Sequence, residues 1–184
     1  MFTISDFFDP VTRQRILSEL RDASANEATV YGGAKSVDTQ VRRTKKVSAS
    51  EGTRALVLRK LDERKGEIER QFGLETHAIE EPQFLRYTAG DFFVAHQDGN
   101  TPVIRDDTRF RKVSIVIFLS DRGDYDGGEL QLHGKYPDFD VRESAPAEPG
   151  TLVAFPAETT HEVTPLARGE RYTIVSWYRV TPPE

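Results

Sequence analysis

The chain has 184 residues, of which 25 are Lys or Arg and 30 are Asp or Glu, giving a formal net charge of −5 at pH 7. This length suits one domain with a single substantial core, and the negative charge argues against a protein that mainly neutralises nucleic-acid phosphates. The absence of cysteine excludes a disulfide framework and a thiolate metal site. No apolar stretch is long enough to span a bilayer, and the first residues lack the basic and apolar regions of a secretory signal. A reducing cytoplasm is therefore the expected compartment, and neither nucleic acid nor a membrane is an expected partner.

The first third of the chain predicts two helices. Asp9 and Pro10 supply a cap and a first-turn proline for a helix that continues through about Asp22. A second helix is predicted from about Gly52 to Gln71, ended by Gly73. The expected buried positions are Ile16, Leu17 and Leu20 in the first helix and Leu56, Leu58, Leu61, Ile68 and Phe72 in the second.

The rest of this third is predicted to be a short strand at residues 2–4 and an irregular segment at residues 25–50, which is polar and punctuated by glycine. Within that segment lies the basic run Arg42-Arg43-Thr44-Lys45-Lys46. Such a run is typical of a solvated loop, and a docking patch is the alternative interpretation.

From Glu80 onward, short β-favouring runs alternate with turn residues. Helices followed by about eight strands indicate a mostly β fold with N-terminal helices, in which the helices pack outside a sandwich or barrel. We therefore expect one domain over residues 1–184, with a helical support region at 1–79 and a β core at 80–184.

The tripeptide His96-Gln97-Asp98 brings two potential metal ligands close together. In an extended strand, residues i and i+2 point to the same face, about 6.6 Å apart, so both side chains can converge on one ion while Gln97 points away. Two imidazoles and one carboxylate can occupy one face of a divalent iron and leave positions open for substrate and oxygen. His161 is the candidate for the second imidazole. The tripeptide alone is weak evidence, because most such histidines are surface or hydrogen-bonded residues.

A second signal is the predicted strand from Arg171 to Arg179. Period-2 alternation places Arg171 on the same face as Val175 and Trp177, which are expected core residues, so the arginine is drawn into the interior. A buried guanidinium needs an anionic partner, because an unpaired internal charge is very costly, and its planar fork suits a carboxylate. That partner is either an anionic ligand or a nearby Asp or Glu. Trp177 itself either packs in the core or borders a cavity.

Three further features carry weaker signals. His133 is expected to be exposed and non-ligating at the end of a strand, and His77 precedes the β core, where a metal role is not expected. The polar segment 99–111, which follows the tripeptide directly, is a candidate mobile lid because of its position.

Five segments, taken in order, carry a family resemblance. They are Tyr87 to Gly90 ahead of His96-Gln97-Asp98, the buried run 112–120, Gly127-Gly128-Glu129-Leu130, Pro149 to Phe155, and His161 to Pro165 followed by Gly169-Glu170-Arg171-Tyr172 and Trp177. This combination, over roughly residues 80 to 180, resembles the 2-oxoglutarate- and Fe(II)-dependent dioxygenases, and in particular their prolyl-4-hydroxylase-like branch.

The resemblance implies a double-stranded β-helix (jelly-roll) core, with Fe(II) and 2-oxoglutarate as cofactors and ascorbate allowed as a reductant. It makes His96, Asp98 and His161 the iron ligands and catalytic residues. It makes Arg171 the partner of the distal carboxylate of 2-oxoglutarate, with Tyr87 hydrogen-bonding the same cosubstrate. A core aromatic whose hydroxyl is satisfied by backbone is the alternative for Tyr87. In related enzymes the region of residues 42–46 can border the substrate entrance.

The expected function is therefore hydroxylation by molecular oxygen of a prolyl residue in a protein, or of a free amino acid or other small molecule. 2-Oxoglutarate would be decarboxylated to succinate in the same reaction. A second hypothesis is a non-catalytic jelly-roll protein that binds or senses a metal; the complete ligand set and Arg171 count against it. A third is a zinc hydrolase, since two His and one carboxylate also suit zinc, but the His-Glu helix motif that supplies its base is absent.

Overall fold

The computed structural model describes residues 1–28, 40–101, 104, 106–134 and 141–181. Within these ranges the chain forms two α-helices, α1 (Pro10–Asp22) and α2 (Glu51–Phe72), and two short 3-10 helices at Asp107–Phe110 and Arg122–Asp124. The strands are β1 (Phe2–Ile4), β2 (Ala25–Glu27), β3 (Arg42–Arg43), β4 (Lys45–Val47), β5 (Ala78–Ile79), β6 (Gln83–Thr88), β7 (Phe92–His96), β8 (Arg111–Phe118), β9 (Tyr125–Gly127), β10 (Leu130–His133), β11 (Val141–Ser144), β12 (Leu152–Pro156), β13 (His161–Val163) and β14 (Leu166–Arg179). The predicted mostly β fold with N-terminal helices is confirmed.

Helix α1 begins and ends where the sequence predicts. The Asp9 carboxylate accepts hydrogen bonds from the backbone N–H groups of Val11 and Thr12, at 3.0 and 2.9 Å, and Pro10 occupies the first turn. These bonds satisfy donors that the first helical turn leaves without intrahelical partners. The three predicted buried residues of this helix, Ile16, Leu17 and Leu20, are all fully buried.

Helix α2 also ends as predicted, because Gly73 adopts the left-handed conformation with φ of 64° and donates its N–H back to the helix. Its buried stripe is shifted from the prediction. Leu61 and Ile68 are buried as expected, whereas Leu56, Leu58 and Phe72 are only half-buried, and the stripe is completed by Thr53 and Val57. The contact face therefore follows the i, i+4 spacing from Thr53, and the neighbouring leucines lie on its flanks.

The strands form two sheets. The larger sheet has the order β1-β12-β8-β14-β6-β4-β2, with β5 and β9 also pairing with β14, and the smaller sheet has the order β11-β10-β13-β7-β3. The prediction of an irregular segment at residues 25–50 is wrong for β2, β3 and β4, because β4 pairs with β6, β3 pairs with β7, and β2 pairs with β4. Short, basic strands are common at sheet edges, where charge discourages pairing with other chains. Residues 29–39 lie outside the described part of that segment.

The larger sheet is buried on both faces. One face packs against α1 and α2 through a cluster that includes Ile117 and Ile174, and the other packs against the smaller sheet through a cluster that includes Val116 and Phe118. Successive side chains of β8 therefore point alternately into the two apolar clusters, which explains the almost continuous apolar sequence of this strand. The result is a two-sheet sandwich with helices outside it, as expected.

The structure also bears on membrane spanning and on the candidate lid. No helix within the described ranges is both long and apolar enough to cross a membrane. Of the candidate lid at 99–111, positions 102, 103 and 105 lie outside the described residues. The remainder includes the 3-10 helix Asp107–Phe110, which Asp106 caps by accepting from the Thr108 N–H.

The difference between flank and core on α2 can be tested with one pair of substitutions. Leu61 is 0% exposed, so Leu61→Ala is expected to lower the free energy of unfolding by about 2–5 kcal/mol. Leu58→Ala removes the same atoms from a half-buried site and is expected to cost clearly less. Urea unfolding followed by circular dichroism measures both. Equal losses would contradict the stripe that the structure assigns to α2.

Candidate active site

Two adjacent strands of the smaller sheet bring three potential metal ligands together. β13 pairs antiparallel with β7 so that His161 lies directly opposite His96, and Asp98 follows two residues after His96. The ligand atoms of these three side chains all lie within 4.8 Å of one another. The two oxygens of Asp98 lie 3.5 Å from the Nε2 atoms of His96 and His161 respectively. The predicted convergence therefore occurs, although β7 ends at His96 and Asp98 lies just beyond the strand.

Hydrogen bonds with neighbouring groups restrict the orientation of each of these three side chains. The Nδ1 atom of His96 lies 2.8 Å from the carbonyl oxygen of Val94, and that of His161 lies 2.9 Å from the carbonyl oxygen of Thr159. A carbonyl can only accept, so Nδ1 carries a proton in both rings, and in the neutral form of such a ring the lone pair for a metal lies on Nε2. On the third side chain, the Ser114 hydroxyl donates to Oδ2 of Asp98 at 2.7 Å.

The protonation states of the cluster also suit a divalent cation. Burial, followed by the proximity of His96, lowers the pKa of His161 to about 4, so this imidazole is neutral at pH 7. Burial alone would raise the pKa of Asp98, but the two neighbouring imidazoles and the Ser114 hydroxyl lower it well below its ordinary value. His161 and Asp98 therefore present a neutral imidazole and an ionised carboxylate, the forms in which both groups ligate metals.

The cluster lies in the wall of a cavity of about 720 Å³ between the two sheets. The face of β14 that the sequence places inward lines the same cavity, with Arg171 at one end of the strand and Trp177 at the other. Trp177, left open between core packing and a cavity wall, is buried and borders the cavity. The remaining wall is largely apolar and includes Leu85, Leu130, Val163 and Val175.

Arg171 is a buried cation with donors still available. It is 1% exposed, and its Nε and Nη1 atoms have no hydrogen-bond partner among the residues that the structure describes. Its guanidinium carbon lies 5.1 Å from the ring centroid of Tyr87 and 5.2 Å from that of Phe118. Among the described residues no carboxylate forms an ion pair with it, so the structural ion pair that the sequence left open is not found there. The arginine is therefore suited to an anionic ligand that enters the cavity.

Tyr87 lies beside Arg171, because β6 and β14 pair in the register that sets these two residues opposite each other. It is both buried and part of the cavity wall. This position is compatible with both interpretations of Tyr87, a core aromatic residue and a hydrogen-bond partner of the cosubstrate.

Sequence reasoning missed the ionic network beside Trp177. Arg111, at the start of β8, is buried and forms a bidentate pair with Glu80, from Nε to Oε1 at 3.0 Å and from Nη2 to Oε2 at 2.7 Å. Its guanidinium carbon lies only 3.6 Å from the ring centroid of Trp177. The backbone of Glu80 also donates to the Trp177 carbonyl at 2.9 Å. An arginine heading an apolar run was the available signal, but nothing in the sequence pairs it with Glu80.

Two other sequence expectations need correction. The basic run 42–46 is not a solvated loop: Arg42 is buried in β3, lines the cavity and lies 4.8 Å from the ring centroid of Phe93. His133 is not exposed, because only 9% of its side chain is accessible and its Nε2 lies 3.2 Å from a Glu162 oxygen. It is not part of the cluster of His96, Asp98 and His161. His77 is exposed and contacts Thr181 instead.

Comparison with known sequences gives the family. Residues 82–179 match the 2OG-Fe(II) oxygenase superfamily, and the chain belongs to it. The resemblance drawn from the sequence motifs is thereby confirmed. Both cofactors that the family name contains, 2-oxoglutarate and Fe(II), agree with the donor set found in the cavity.

Several curated relatives carry the name PKHD-type hydroxylase. The one from Paraburkholderia phytofirmans (strain DSM 17436 / LMG 22146 / PsJN) is 38% identical over 97 residues, which is 52% of this chain and 41% of the relative. The one from Paracoccus denitrificans (strain Pd 1222) is 41% identical over 98 residues, with the same two shares. The matched region therefore spans about two-fifths of the length of these relatives.

A solved structure shows the same fold over almost the whole chain. A prolyl-4-hydroxylase from Pseudomonas putida superposes with a TM-score of 0.75 at 23% identity, covering 98% of this chain and 92% of its own. At this identity the likeness concerns the fold, and it confirms the expected jelly-roll core.

The contribution of the Glu80–Arg111 pair to stability can be tested by comparing a substitution of Glu80 with the same substitution of the adjacent Glu81. Glu80→Leu removes the bidentate carboxylate from a buried arginine and is expected to lower the free energy of unfolding by on the order of 3 kcal/mol. It should also change the emission of Trp177, the only tryptophan in the chain. Glu81 is an exposed residue whose carboxylate lies 3.9 Å from Arg54. Glu81→Leu should therefore change stability by less than about 1 kcal/mol.

Urea unfolding and fluorescence spectra of both variants provide the measurements. Comparable losses of stability in the two variants, or an unchanged Trp177 spectrum in Glu80→Leu, would show that the pair does not organise this wall of the cavity.

Proposed function

We propose that the chain is a 2-oxoglutarate- and Fe(II)-dependent dioxygenase that hydroxylates a prolyl residue or a related amino-acid or small-molecule substrate. The observation that carries this proposal is the joint position of two features in one cavity. One is the cluster of His96, Asp98 and His161; the other is Arg171, whose buried donors are still available. A dicarboxylate that chelates the metal at one end needs a cation at the other, and the cavity contains both.

Each residue then has a defined part in the reaction. The cluster of His96, Asp98 and His161 would hold Fe(II) on one face and leave the other positions for ligands. Arg171 would bind the distal carboxylate of 2-oxoglutarate through its free N–H groups, with Tyr87 beside it as a second polar contact. When bound, iron and 2-oxoglutarate supply the oxygen chemistry, in which the cosubstrate loses carbon dioxide and becomes succinate.

The remaining wall of the cavity would serve the reaction by excluding water. Leu85, Leu130 and Val163 are buried apolar side chains, contributed by both sheets, that line the same cavity as the cluster. Apolar surroundings strengthen the interaction between Arg171 and a carboxylate. They also keep a reactive oxidant away from competing reactions with solvent.

The prolyl part of the proposal is supported by the names of similar proteins. One structural neighbour, at a TM-score of 0.73 and 16% identity, is a prolyl hydroxylase from Trichoplax adhaerens in complex with a peptide fragment of the hypoxia inducible factor oxygen degradation domain. It covers 97% of this chain and 82% of its own. We propose a prolyl side chain of a peptide as the first substrate to test, and a free amino acid as the second.

Further parts of the proposal concern the whole chain. We propose that residues 1–79 support a catalytic core at 80–184 as one domain, since the helices share one apolar cluster with the larger sheet. A cytoplasmic location is proposed because the chain has no cysteine. Ascorbate is proposed as the reductant that keeps the iron ferrous. The alternative of a non-catalytic metal-binding protein is not favoured, because metal binding alone does not explain the buried Arg171.

The first experiment follows succinate release by the purified protein with Fe(II), 2-oxoglutarate and ascorbate, with and without a proline-containing peptide. The wild-type protein is expected to release succinate, and Asp98→Ala to release none, because the variant lacks the only carboxylate of the cluster. His133→Gln, which alters a histidine outside the cluster, should retain turnover. Tight Fe(II) binding without any succinate release would instead favour the non-catalytic alternative, and full turnover by Asp98→Ala would refute the ligand assignment.

A second experiment separates the two cofactors. Arg171→Met should weaken 2-oxoglutarate binding by roughly 10- to 100-fold, since a charge-assisted contact is worth about 1.5–3 kcal/mol. Fe(II) binding without cosubstrate should stay within about twofold of wild type, because the arginine is not part of the cluster. Arg168→Met serves as the control, since Arg168 is an exposed residue of the same strand that pairs with Asp126 at 3.1 Å. Anaerobic isothermal titration measures both affinities, and equal loss of both would count against the assigned role.

A further inference from the structure

The proposed metal cluster is assembled from two chain segments that are far apart in sequence and bound tightly to each other. The amide nitrogen of Gln97, the residue between His96 and Asp98, donates to the backbone carbonyl of Glu158 at 2.8 Å. It also lies 3.3 Å from the Thr160 hydroxyl. Gln97 therefore joins the segment that carries two of the proposed ligands to the turn that immediately precedes the third.

A second side-chain contact links the same two segments. The amide nitrogen of Asn100 donates to Oε2 of Glu158 at 2.9 Å. Asn100 itself has a positive φ of 56°, a conformation that a non-glycine residue adopts only when its surroundings compensate. Lys112 of β8 supplies part of that compensation by donating to the Asn100 side-chain oxygen. The Asn100 amide is thereby held in the orientation that reaches Glu158.

Backbone hydrogen bonds complete the connection. The N–H groups of Asp98 and Gly99 both donate to the carbonyl oxygen of Ala157, at 3.0 and 3.1 Å. The turn continues from there to Thr159, whose carbonyl accepts from Nδ1 of His161. A displacement of the turn relative to Gln97 would thus move the Asp98 backbone and rotate the His161 ring together.

We propose that Gln97 and Glu158 are positioning residues that set the metal affinity of the cluster. This inference rests on the proposed function, since it takes His96, Asp98 and His161 as the iron ligands. The interlock holds the ligand atoms near their final separation before the metal arrives, so binding does not have to order two independent segments. Loss of contacts that orient metal ligands typically weakens metal binding by about 10- to 100-fold.

Gln97 also borders the cavity, so a direct contact with substrate has to be distinguished from positioning. Metal affinity in the absence of cosubstrate and substrate makes that distinction, because a substrate contact would leave it unchanged. Anaerobic isothermal titration with Fe(II) alone is therefore the readout. Gln97→Met, which keeps the chain length and removes the donor, is expected to weaken Fe(II) binding by about 10- to 100-fold.

Gln131→Met is the matched control. Gln131 also donates one side-chain hydrogen bond, to Oε2 of Glu129 at 3.0 Å, but it does not contact the 157–160 turn through that bond. Its Fe(II) affinity should equal that of wild type. An affinity of Gln97→Met within about twofold of wild type would overturn the inference.

A pair of substitutions at Glu158 tests the same interlock if Gln97→Met fails to fold. Glu158→Gln and Glu158→Leu both remove the carboxylate charge, but only the glutamine keeps an oxygen that can accept from Asn100. We expect Glu158→Gln to bind Fe(II) more tightly than Glu158→Leu, and equal affinities would contradict the proposal. Failure of the proposed function has a separate signature: His161→Ala would then bind Fe(II) as tightly as the wild-type protein.

Discussion

The antiparallel register between β7 and β13 is the constraint on which the candidate site depends. It sets His161 opposite His96, and a shift by one residue would turn the His161 side chain to the other face of the sheet. The register is held from both sides, because β10 pairs with the other edge of β13 and places Leu132 opposite His161. The turn before β13 is fixed by the backbone hydrogen bonds that Asp98 and Gly99 donate to the Ala157 carbonyl. The two candidate histidine ligands are therefore as well ordered as the sheet that carries them.

The larger sheet contributes a different component to the same cavity. β14 places Arg171 in an interior where a cation without an anion is costly, and its neighbours there include the aromatic rings of Tyr87 and Phe118. Such an arrangement lowers the stability of the protein on its own and favours any carboxylate that can reach the arginine. The cost of burying Arg171 is thus linked to ligand binding, since a ligand that binds only the folded state stabilises it.

Several elements of this fold could be predicted from local sequence. The cap at Asp9, the left-handed Gly73 and the alternation along β14 depend on residues within a few positions of one another, and all three are found. The family motifs made the cluster predictable as well. They connect His96 with His161, which lie 65 positions apart and which no local rule relates.

The features that escaped prediction depend on contacts between distant residues. Arg42 is buried because β3 pairs with β7, and Arg111 is satisfied by Glu80, which lies 31 positions earlier. The same reason applies to His133, whose burial follows from its position beside Glu162 on the neighbouring strand. The sequence does not show whether a polar side chain contacts water or a protein partner, so the basic run at Arg42 and His133 were both predicted to be exposed and the partner of Arg111 was not predicted at all.

The two sheets divide the chemistry between them, and this division has a mechanistic consequence. The proposed metal ligands belong to β7, β13 and the residues just beyond β7, whereas Arg171 and Tyr87, the proposed cosubstrate contacts, belong to β14 and β6 of the other sheet. Loosening within the smaller sheet should therefore affect the metal first, and loosening within the larger sheet should affect the cosubstrate first. A cosubstrate that bridges the metal and Arg171 would tie the two sheets together across the cavity. Its binding would then order the site as a whole, because each end of the molecule is held by a different layer of the fold.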